Sequence, residues 1–407
     1  MKLLVINCGS STLKFELFEI KRTGSNPQLD RLAGGLIDRF GKEASFELRS
    51  QGNIWQETLP VADHGEASRL ALDSLNSKGL LKDRELAAVG HRVIHGGERF
   101  SEPVLINDDI IAAIDALTEL DPLHGGPSLN AIRSVRKVTG PSIPMVAVFD
   151  TVFHRTLPES AYRYAISLEL ADKHHIRRYG FHGLAHRYMM ERYSVITGIP
   201  LSETRLVTLQ LGNGCSATAI RNGQSVDTSM GFTPLEGLIM GTRSGDVDPT
   251  LPGFLARHEN VDLTTAEGWL NTNSGLLGIS GHKDMRELLD AEHQGDKRAE
   301  LALEMFCYRI KKYIGAYMAA LDGINAVVFG GGIGENAPEV RARICSGLEW
   351  CGLKLDKGRN LAAVGKESAI QADDASISTY VVTVDEAILI ARDTLTCLEK
   401  DSGRNNE

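Results

Sequence analysis

The chain has 407 residues, 42% hydrophobic and 24% charged, with a formal net charge of −9 and a pI near 5.8. That length outgrows a single core and points to two domains, in a composition ordinary for globular protein. The acidic balance, with no lysine-arginine block, excludes a nucleic-acid binder that relies on a basic surface, and no apolar run approaches the roughly 18 residues of a membrane span. The sequence opens on a strand-like run rather than a basic and then apolar leader, which gives the expectation of a cytoplasmic protein. Six dispersed cysteines, Cys8, Cys215, Cys307, Cys345, Cys351 and Cys397, lack zinc or CxxC spacing and read as reduced thiols.

In chain order, Leu3 to Asn7, Leu13 to Ile20, Arg31 to Ile37 and Ala44 to Leu48 read as a strand meander. Glu66 to Leu75 carries apolar residues at helical spacing, and Val89 to Ile94 is a short buried strand ending at His95-Gly96-Gly97. Asp108 to Leu117 is a helix opened by an aspartate cap, and Met145 to Phe149 a strand that stops at Asp150. The second half repeats the order. Leu206 to Leu211 and Ser216 to Arg221 are strands, with a hairpin turn at Asn222-Gly223. A long amphipathic helix runs from about Ala299 to Leu321, with Leu303, Phe306, Cys307, Ile310, Ile314, Tyr317, Met318 and Leu321 on one face. The apolar strand Ala326 to Phe329 then leads into a glycine-rich loop, Gly330 to Asn336, ahead of a helix-like Pro338 to Arg343. Strands followed by alternating helices and strands give an α/β fold.

One pattern, Asn-x-x-Ser-x-Thr, occurs twice behind a strand, as Asn7 to Thr12 and as Asn213 to Thr218, about half a chain apart. Glycine, short hydroxyl side chains and free backbone N–H groups at a turn are what a backbone needs to wrap a phosphate. Either copy alone reads better as an ordinary hairpin; together they suggest two related halves. The Gly330 to Asn336 cluster lets backbone approach a base or phosphate closely, but no GxxxxGK[ST] is present, and a strand rather than a helix follows the first strand, against a Rossmann unit. Arg92 in Gly90-His91-Arg92 and Arg243 in Gly241-Thr242-Arg243-Ser244-Gly245 suit guanidinium groups that fork onto a carboxylate or phosphoryl group, or simply structural ties. Asn7, Asp150 and Glu386 are hard oxygen donors of the kind Mg²⁺ uses beside substrate phosphates. His91, His95, His124, His182 and His186 sit among glycine and apolar residues, where core histidines also occur.

These motifs jointly resemble the acetate kinases and their propionate-kinase relatives, in the sugar-kinase, Hsp70 and actin superfamily. The resemblance runs from Leu3 to about Arg392 through Asn7 to Lys14, Gly90 to Arg92, Val148 to Thr151, Arg178 to Gly183, Leu211 to Gly214, Asp227 to Gly231, Gly241 to Asp246 and Gly332 to Asn336. It implies two duplicated RNase-H-like domains with a nucleotide cleft between them: residues 1–151 with 386–407 on the phosphate and metal side, and 152–385 binding nucleotide. It further implies that Arg92 and Arg243 hold the carboxylate and the transferring phosphoryl group, that His182 bonds the transition state, and that Asp150 orients metal and reactants. Asn7 and Glu386 would hold Mg²⁺, with Mn²⁺ as a substitute. Ser10, Thr12 and Lys14, then Gln210, Leu211, Gly212, Asn213 and Gly214, then Asp284, Met285 and Arg286, then Gly332, Ile333, Gly334, Glu335 and Asn336 would bind ATP. Ile94, Leu123, Phe181 and Pro234 would line an alkyl pocket, with His124 as a polar contact, in a homodimer.

Bulky Ile94 implies acetate over propionate, a methylene being worth about 1–3 kcal/mol; a propionate or other short-chain acyl kinase is the alternative. An actin- or Hsp70-like ATP-driven binding module is the reading from a different class. The chain departs from the family pattern at four places, the mildest being Thr12 for a serine. Gln210 replaces a histidine, Gly125-Gly126-Pro127 follows His124 in place of an Asn-Pro stretch, and Asp385 replaces an asparagine, where an added carboxylate either strengthens metal binding or repels phosphate.

Overall fold

A computed structural model describes residues 1–9, 11–23, 26–82, 85–118 and 125–404. The chain divides into two compact units, Met1–Val152 with Asp385–Glu407, and Phe153–Val384. Ser10, Leu123 and His124 lie outside the described residues.

The first unit is built on β1 (Lys2–Cys8), β2 (Thr12–Thr23), β3 (Asn26–Asp38), β4 (Gly41–Ser50), β5 (Asn53–Val61), β6 (Leu86–Val93), β7 (Val104–Leu105) and β8 (Met145–Phe149). Their order in the sheet is β5-β4-β3-β2-β1-β6-β8-β7. Neighbours from β5 to β1 are antiparallel, β1, β6 and β8 run parallel, and β7 returns antiparallel on β8. Central strands such as Leu3-Leu4-Val5-Ile6 are apolar at every position because helices cover both faces. Ala67, Ala71, Leu72 and Leu75 of the helix His64–Ser77, with Ala131 and Val135 of the helix Gly125–Thr139, close one core over Leu4, Ile6, Leu13, Phe15 and Leu17. The helix Glu386–Arg404 lies so close to β6 that a Cβ on Gly90 would stand 2.4 Å from Thr394 Oγ1 and 2.9 Å from Ile390 Cγ2.

In the second unit β9 (Arg205–Leu211), β10 (Cys215–Arg221), β11 (Gln224–Thr228), β12 (Ala326–Gly330), β13 (Ser368–Ala369) and β14 (Ser378–Val381) lie in the order β11-β10-β9-β12-β14-β13. Here β11, β10 and β9 are antiparallel, β9, β12 and β14 parallel, and β13 antiparallel on β14. This is the pattern of β3-β2-β1-β6-β8-β7 repeated strand for strand, so the duplicated α/β architecture expected from the two halves is present. The helix Gly183–Thr197 packs Met189, Met190 and Tyr193 against Leu206, Ile220 and Val328. The long helix, Lys297–Ala320, buries Leu303, Phe306, Cys307, Ile310, Ile314 and Tyr317, as its periodicity predicts.

Three local expectations differ. Residues 331–336 are not a loop but a short helix, Gly331–Asn336, entered directly from β12. Gly331 has φ 74°, and a Cβ there would stand 2.6 Å from the Leu211 carbonyl oxygen, so glycine is required at the junction. The cap of the helix Asp108–Leu117 is Asn107, whose side chain accepts from Ile110 N, rather than an aspartate. Strand β5 went unread because it is an edge strand exposed at most positions, which leaves no hydrophobic alternation to find.

Cys8 and Cys215 are buried, and burial pushes both thiols up to about 12, which fits small core residues rather than nucleophiles. His91 on β6 is also buried, and burial holds its pKa down to about 3. The unfolded chain takes up that proton near 6.5, so between 6.5 and about 3 the unfolded state binds more protons. Stability from this group is therefore fully present above 6.5 and is lost as pH falls, by up to about 1.4 kcal/mol per pH unit. Urea midpoints at pH 7.5 and pH 5 should fall less for His91→Gln than for the wild type; equal falls would show that His91 is not the titrating group.

Candidate active site

In the first unit, four side chains meet at the carboxyl ends of parallel strands, the usual ligand edge of an open α/β sheet. Asn7 closes β1, Arg92 lies near the end of β6, Asp150 follows β8, and Glu386 opens the helix Glu386–Arg404. Arg92 Nη2 donates to Asp150 Oδ2 at 2.6 Å and Nη1 to Asn7 Oδ1 at 3.1 Å. Asn7 Nδ2 in turn donates to Glu386 Oε2 at 2.9 Å, which fixes the orientation of its amide. Glu386 Oε2 is also 4.0 Å from Arg92 Nε. Arg92 is partly buried, and Asp150 and Glu386 hold its guanidinium firmly protonated against the loss of solvent. Lys14 lies directly opposite Asn7 in the β1/β2 register, on the same sheet face, and is exposed. Gly9 N donates to the Thr12 carbonyl across the turn between these strands. His64 Nε2–H supports that turn from below by donating to the Gly9 carbonyl at 2.7 Å.

Asn7 and Glu386, an amide and a carboxylate in hydrogen-bond contact, offer oxygen donors of the kind a hard cation takes beside phosphate oxygens, while Asp150 is engaged with Arg92. Asp385 takes no part in that cluster. Its Oδ2 is 2.6 Å from Arg31 Nη2 and its Oδ1 accepts from Ile388 N, so the extra carboxylate is neutralised and spent as a helix cap. Arg31 also grips Glu16.

In the second unit, His182 has φ 56°, a left-handed conformation rare for a side-chain-bearing residue, at the start of the helix Gly183–Thr197. Arg243 Nη1 donates to the Pro234 carbonyl at 2.7 Å. The two side chains converge on Gly214, where a Cβ would stand 3.0 Å from Arg243 Nη2 and 3.3 Å from His182 Nε2. A guanidinium and an imidazole nitrogen at one backbone turn form a donor pair suited to an oxyanion.

Behind Pro234, Arg178 donates from Nη1 to the carbonyls of Thr228, Ser229 and Met230 and from Nη2 to Glu236, which also accepts from the Tyr164 hydroxyl. Phe232 N donates to the same hydroxyl at 2.8 Å, so the 228–236 segment is clamped along its length. Gly231 makes this close approach feasible, since a Cβ there would stand 2.1 Å from Tyr164 Oη.

Of the expected nucleotide contacts, Gln210 and Leu211 end β9, Gly212 N closes the turn onto the Gly214 carbonyl, and Asn213 is exposed. Gln210 Oε1 is buried without a partner, and its Nε2 lies 2.9 Å from where a Cβ on Gly331 would be. Gly332 is exposed with open space around it, Ile333 is half-buried, and Asn336 donates back to the Gly332 carbonyl. Glu335 Oε1 accepts from Gly331 N and Val384 N, tying the short helix to the chain just before residue 385. The buried Arg341 donates to the Gly334 carbonyl at 2.7 Å and supports the same turn from beneath. Asp284 caps the helix Met285–His293 and is bound by Arg286, whose hydrogen bond holds the carboxyl down to about 2. Met285 is buried. Of the residues expected to line an alkyl pocket, Ile94 in the first unit and Phe181 in the second are buried, and Pro234 is half-buried.

Sequence reasoning missed Arg31, His64, Tyr164, Glu236, Ser216 and His186 as supports. Two carried a signal: His186 as one of the histidines set among glycine and apolar residues, and Ser216 as a hydroxyl of the repeated turn expected to wrap phosphate. Instead its hydroxyl points inward and is 2.8 Å from His182 Nδ1, while Thr218 meets the Thr228 hydroxyl at 2.9 Å.

The family model described as Acetokinase family matches residues 2–392. The acetate kinase of Chloroherpeton thalassium is 46% identical, over 98% of this chain and 99% of its own. Among solved structures, Porphyromonas gingivalis acetate kinase is 40% identical with a TM-score of 0.88, covering 98% of this chain and 99% of that one. A propionate kinase from Francisella tularensis is 38% identical with a TM-score of 0.88, covering 96% and 98%.

Proposed function

The chain belongs to the acetokinase family, and from that premise we propose that it moves the γ-phosphoryl group of ATP directly to acetate, reversibly, giving acetyl phosphate and ADP. An acetate oxygen forms the new bond to phosphorus as the bond to the β,γ-bridging oxygen breaks, and ADP leaves with that electron pair. The observation that carries the reading is the convergence of Arg243 and His182 on Gly214, one cation and one hydrogen-bonding imidazole at a phosphate-type turn.

A carboxylate is ionised at neutral pH, so the nucleophile needs no general base. The obstacle is the approach of two anions, and catalysis rests on positioning and on charge neutralisation at the equatorial oxygens. In this reading Arg92 receives the carboxylate, Arg243 and His182 hold the transferring group, and Asp150 orients Arg92. The first unit is then the phosphate and metal side and the second the nucleotide side, with Gln210 to Gly214, Asp284 to Arg286 and Gly332 to Asn336 holding ATP. Asn7 and Glu386 are the residues that would hold Mg²⁺, which when bound supplies charge neutralisation on the nucleotide phosphates. Ile94 keeps the alkyl site short, favouring acetate over propionate. The proposal includes a homodimer and a cytoplasmic location; no helix of the described residues is long and apolar enough to cross a membrane.

Purified protein with acetate, ATP, Mg²⁺ and hydroxylamine should yield acetyl hydroxamate, with kcat/KM falling from acetate to propionate. No hydroxamate above background from folded protein would rule the reading out, and a higher kcat/KM for propionate would reverse the substrate order.

A further inference from the structure

Ser216 has no part in the mechanism above, yet it is completely buried between two histidines. Its Oγ lies 2.8 Å from His182 Nδ1 and 2.7 Å from His186 Nε2, and His186 Nδ1 lies 2.8 Å from Thr208 Oγ1. The row Thr208, His186, Ser216, His182 therefore leads from the interior of the sheet to the face where His182 and Arg243 meet. It arises from the fold's own periodicities. Thr208 and Ser216 share one face of the β9/β10 hairpin, and His182 and His186 are one turn apart on the helix packed against it.

The arithmetic of donors restricts the row. A hydroxyl has one proton, so Ser216 donates to one imidazole and accepts from the other, and a neutral imidazole donates at one nitrogen and accepts at the other. Burial holds His186 well below the usual imidazole range, with His154 and His182 adding to that shift, so it is neutral. Two directions remain. If His182 Nδ1–H donates inward, each later proton moves along and the Thr208 hydroxyl needs a separate acceptor. Among the described residues the one in reach is the Thr218 carbonyl at 3.5 Å, too long for a good O–H···O bond. If the row runs outward, Thr208 donates to His186 Nδ1 at 2.8 Å, His186 Nε2–H to Ser216, and Ser216 to His182 Nδ1, with every link at 2.7–2.8 Å.

We propose that Ser216, backed by His186 and Thr208, is a positioning residue that fixes neutral His182 in the Nε2–H tautomer, so that a hydrogen-bond donor faces Gly214 beside Arg243 without protonation of the ring. The groups facing His182 are the Arg243 guanidinium at the Gly214 turn and His186 one turn along, itself beside His154. The inference rests on the reading that His182 faces the transferring phosphoryl group, and it assigns Ser216 of the second Asn-x-x-Ser-x-Thr copy to the histidine instead of to phosphate.

Nitrogen-15 NMR of the full-length, histidine-labelled protein, with His182 assigned by comparison with His182→Gln, should show the Nε2–H tautomer at pH 7.5. The Nδ1–H tautomer or an imidazolium there would overturn the proposal whether or not any variant folds. Ser216→Ala should raise the Nδ1–H population and lower kcat at least about 10-fold, with KM for acetate and ATP changed less than about threefold; Ser216→Thr, which keeps the hydroxyl, should recover most of kcat. Folded Ser216→Ala with wild-type kcat and tautomer would also overturn it. Absence of acetate-dependent turnover in the wild type would instead count against the proposed function, while the tautomer would still be read directly.

Discussion

Arg243→Ala is expected to lower kcat by about 10³-fold, or about 4 kcal/mol of transition-state stabilisation, while the protein stays folded. The guanidinium is half-buried, anchored through Nη1 to the Pro234 carbonyl, and directs Nη2 toward the Gly214 turn beside His182. Charge on the equatorial oxygens is the quantity that this group must neutralise, so its loss should fall on kcat more than on KM. Arg243→Lys keeps the charge but not the planar fork, so one nitrogen cannot both hold Pro234 and face the turn; a loss on the order of 10²-fold is expected. Steady-state kinetics with a melting curve separate the outcomes. Activity within tenfold of wild type for Arg243→Ala would remove this residue from the transition state.

The second large effect should come from Asp150→Ala, and here stability falls together with activity. Asp150 is fully buried and its Oδ2 holds Arg92 at 2.6 Å, so truncation leaves a partly buried guanidinium with Asn7 and the more distant Glu386. Breaking one side of such a pair destabilises by about 3–5 kcal/mol. The lower end is expected because Glu386 is already near. The loss should be local: amide exchange should quicken in β1, β6 and β8 while β9, β10 and β12 keep their protection. Two compact units make a single two-state unfolding energy a poor measure here, and exchange resolves them. Asp150→Asn, which retains an acceptor for Arg92, should recover part of the stability. Uniform protection across both sheets in Asp150→Ala would contradict the role assigned to the pair.

The elements that sequence reading located best were those whose burial is complete. Met145–Phe149 has all five residues buried and matches its expected bounds, and the long helix was recognisable from its 3.6-residue apolar stripe. The grouping of several candidate residues was also legible: Asn7, Arg92, Asp150 and Glu386 lie together within one unit, and His182 with Arg243 within the other. The second Asn-x-x-Ser-x-Thr was misread in its hydroxyls for a specific reason. Residues 216 and 218 already belong to β10, and strand alternation turns both side chains inward. What remains of the phosphate-type turn is the backbone of Gly212 to Gly214.

Partnerships across long sequence separations left no local trace. Tyr164 with Glu236, Arg31 with Asp385 and Glu335 with Val384 N depend on the finished fold, and none forms a motif. The Asp385 departure shows the consequence. A carboxylate that sequence alone could place on either metal or phosphate is taken by Arg31 and a helix N-terminus.

The central claim is that ATP is turned over by transfer to acetate, and ADP release measured as a function of acetate concentration tests it most directly. With Mg²⁺ and saturating ATP, the account predicts saturable dependence on acetate, one acetyl phosphate per ADP, and near-zero release without acetate. ADP release that is unchanged by acetate, as in a nucleotide-driven binding module, would contradict it.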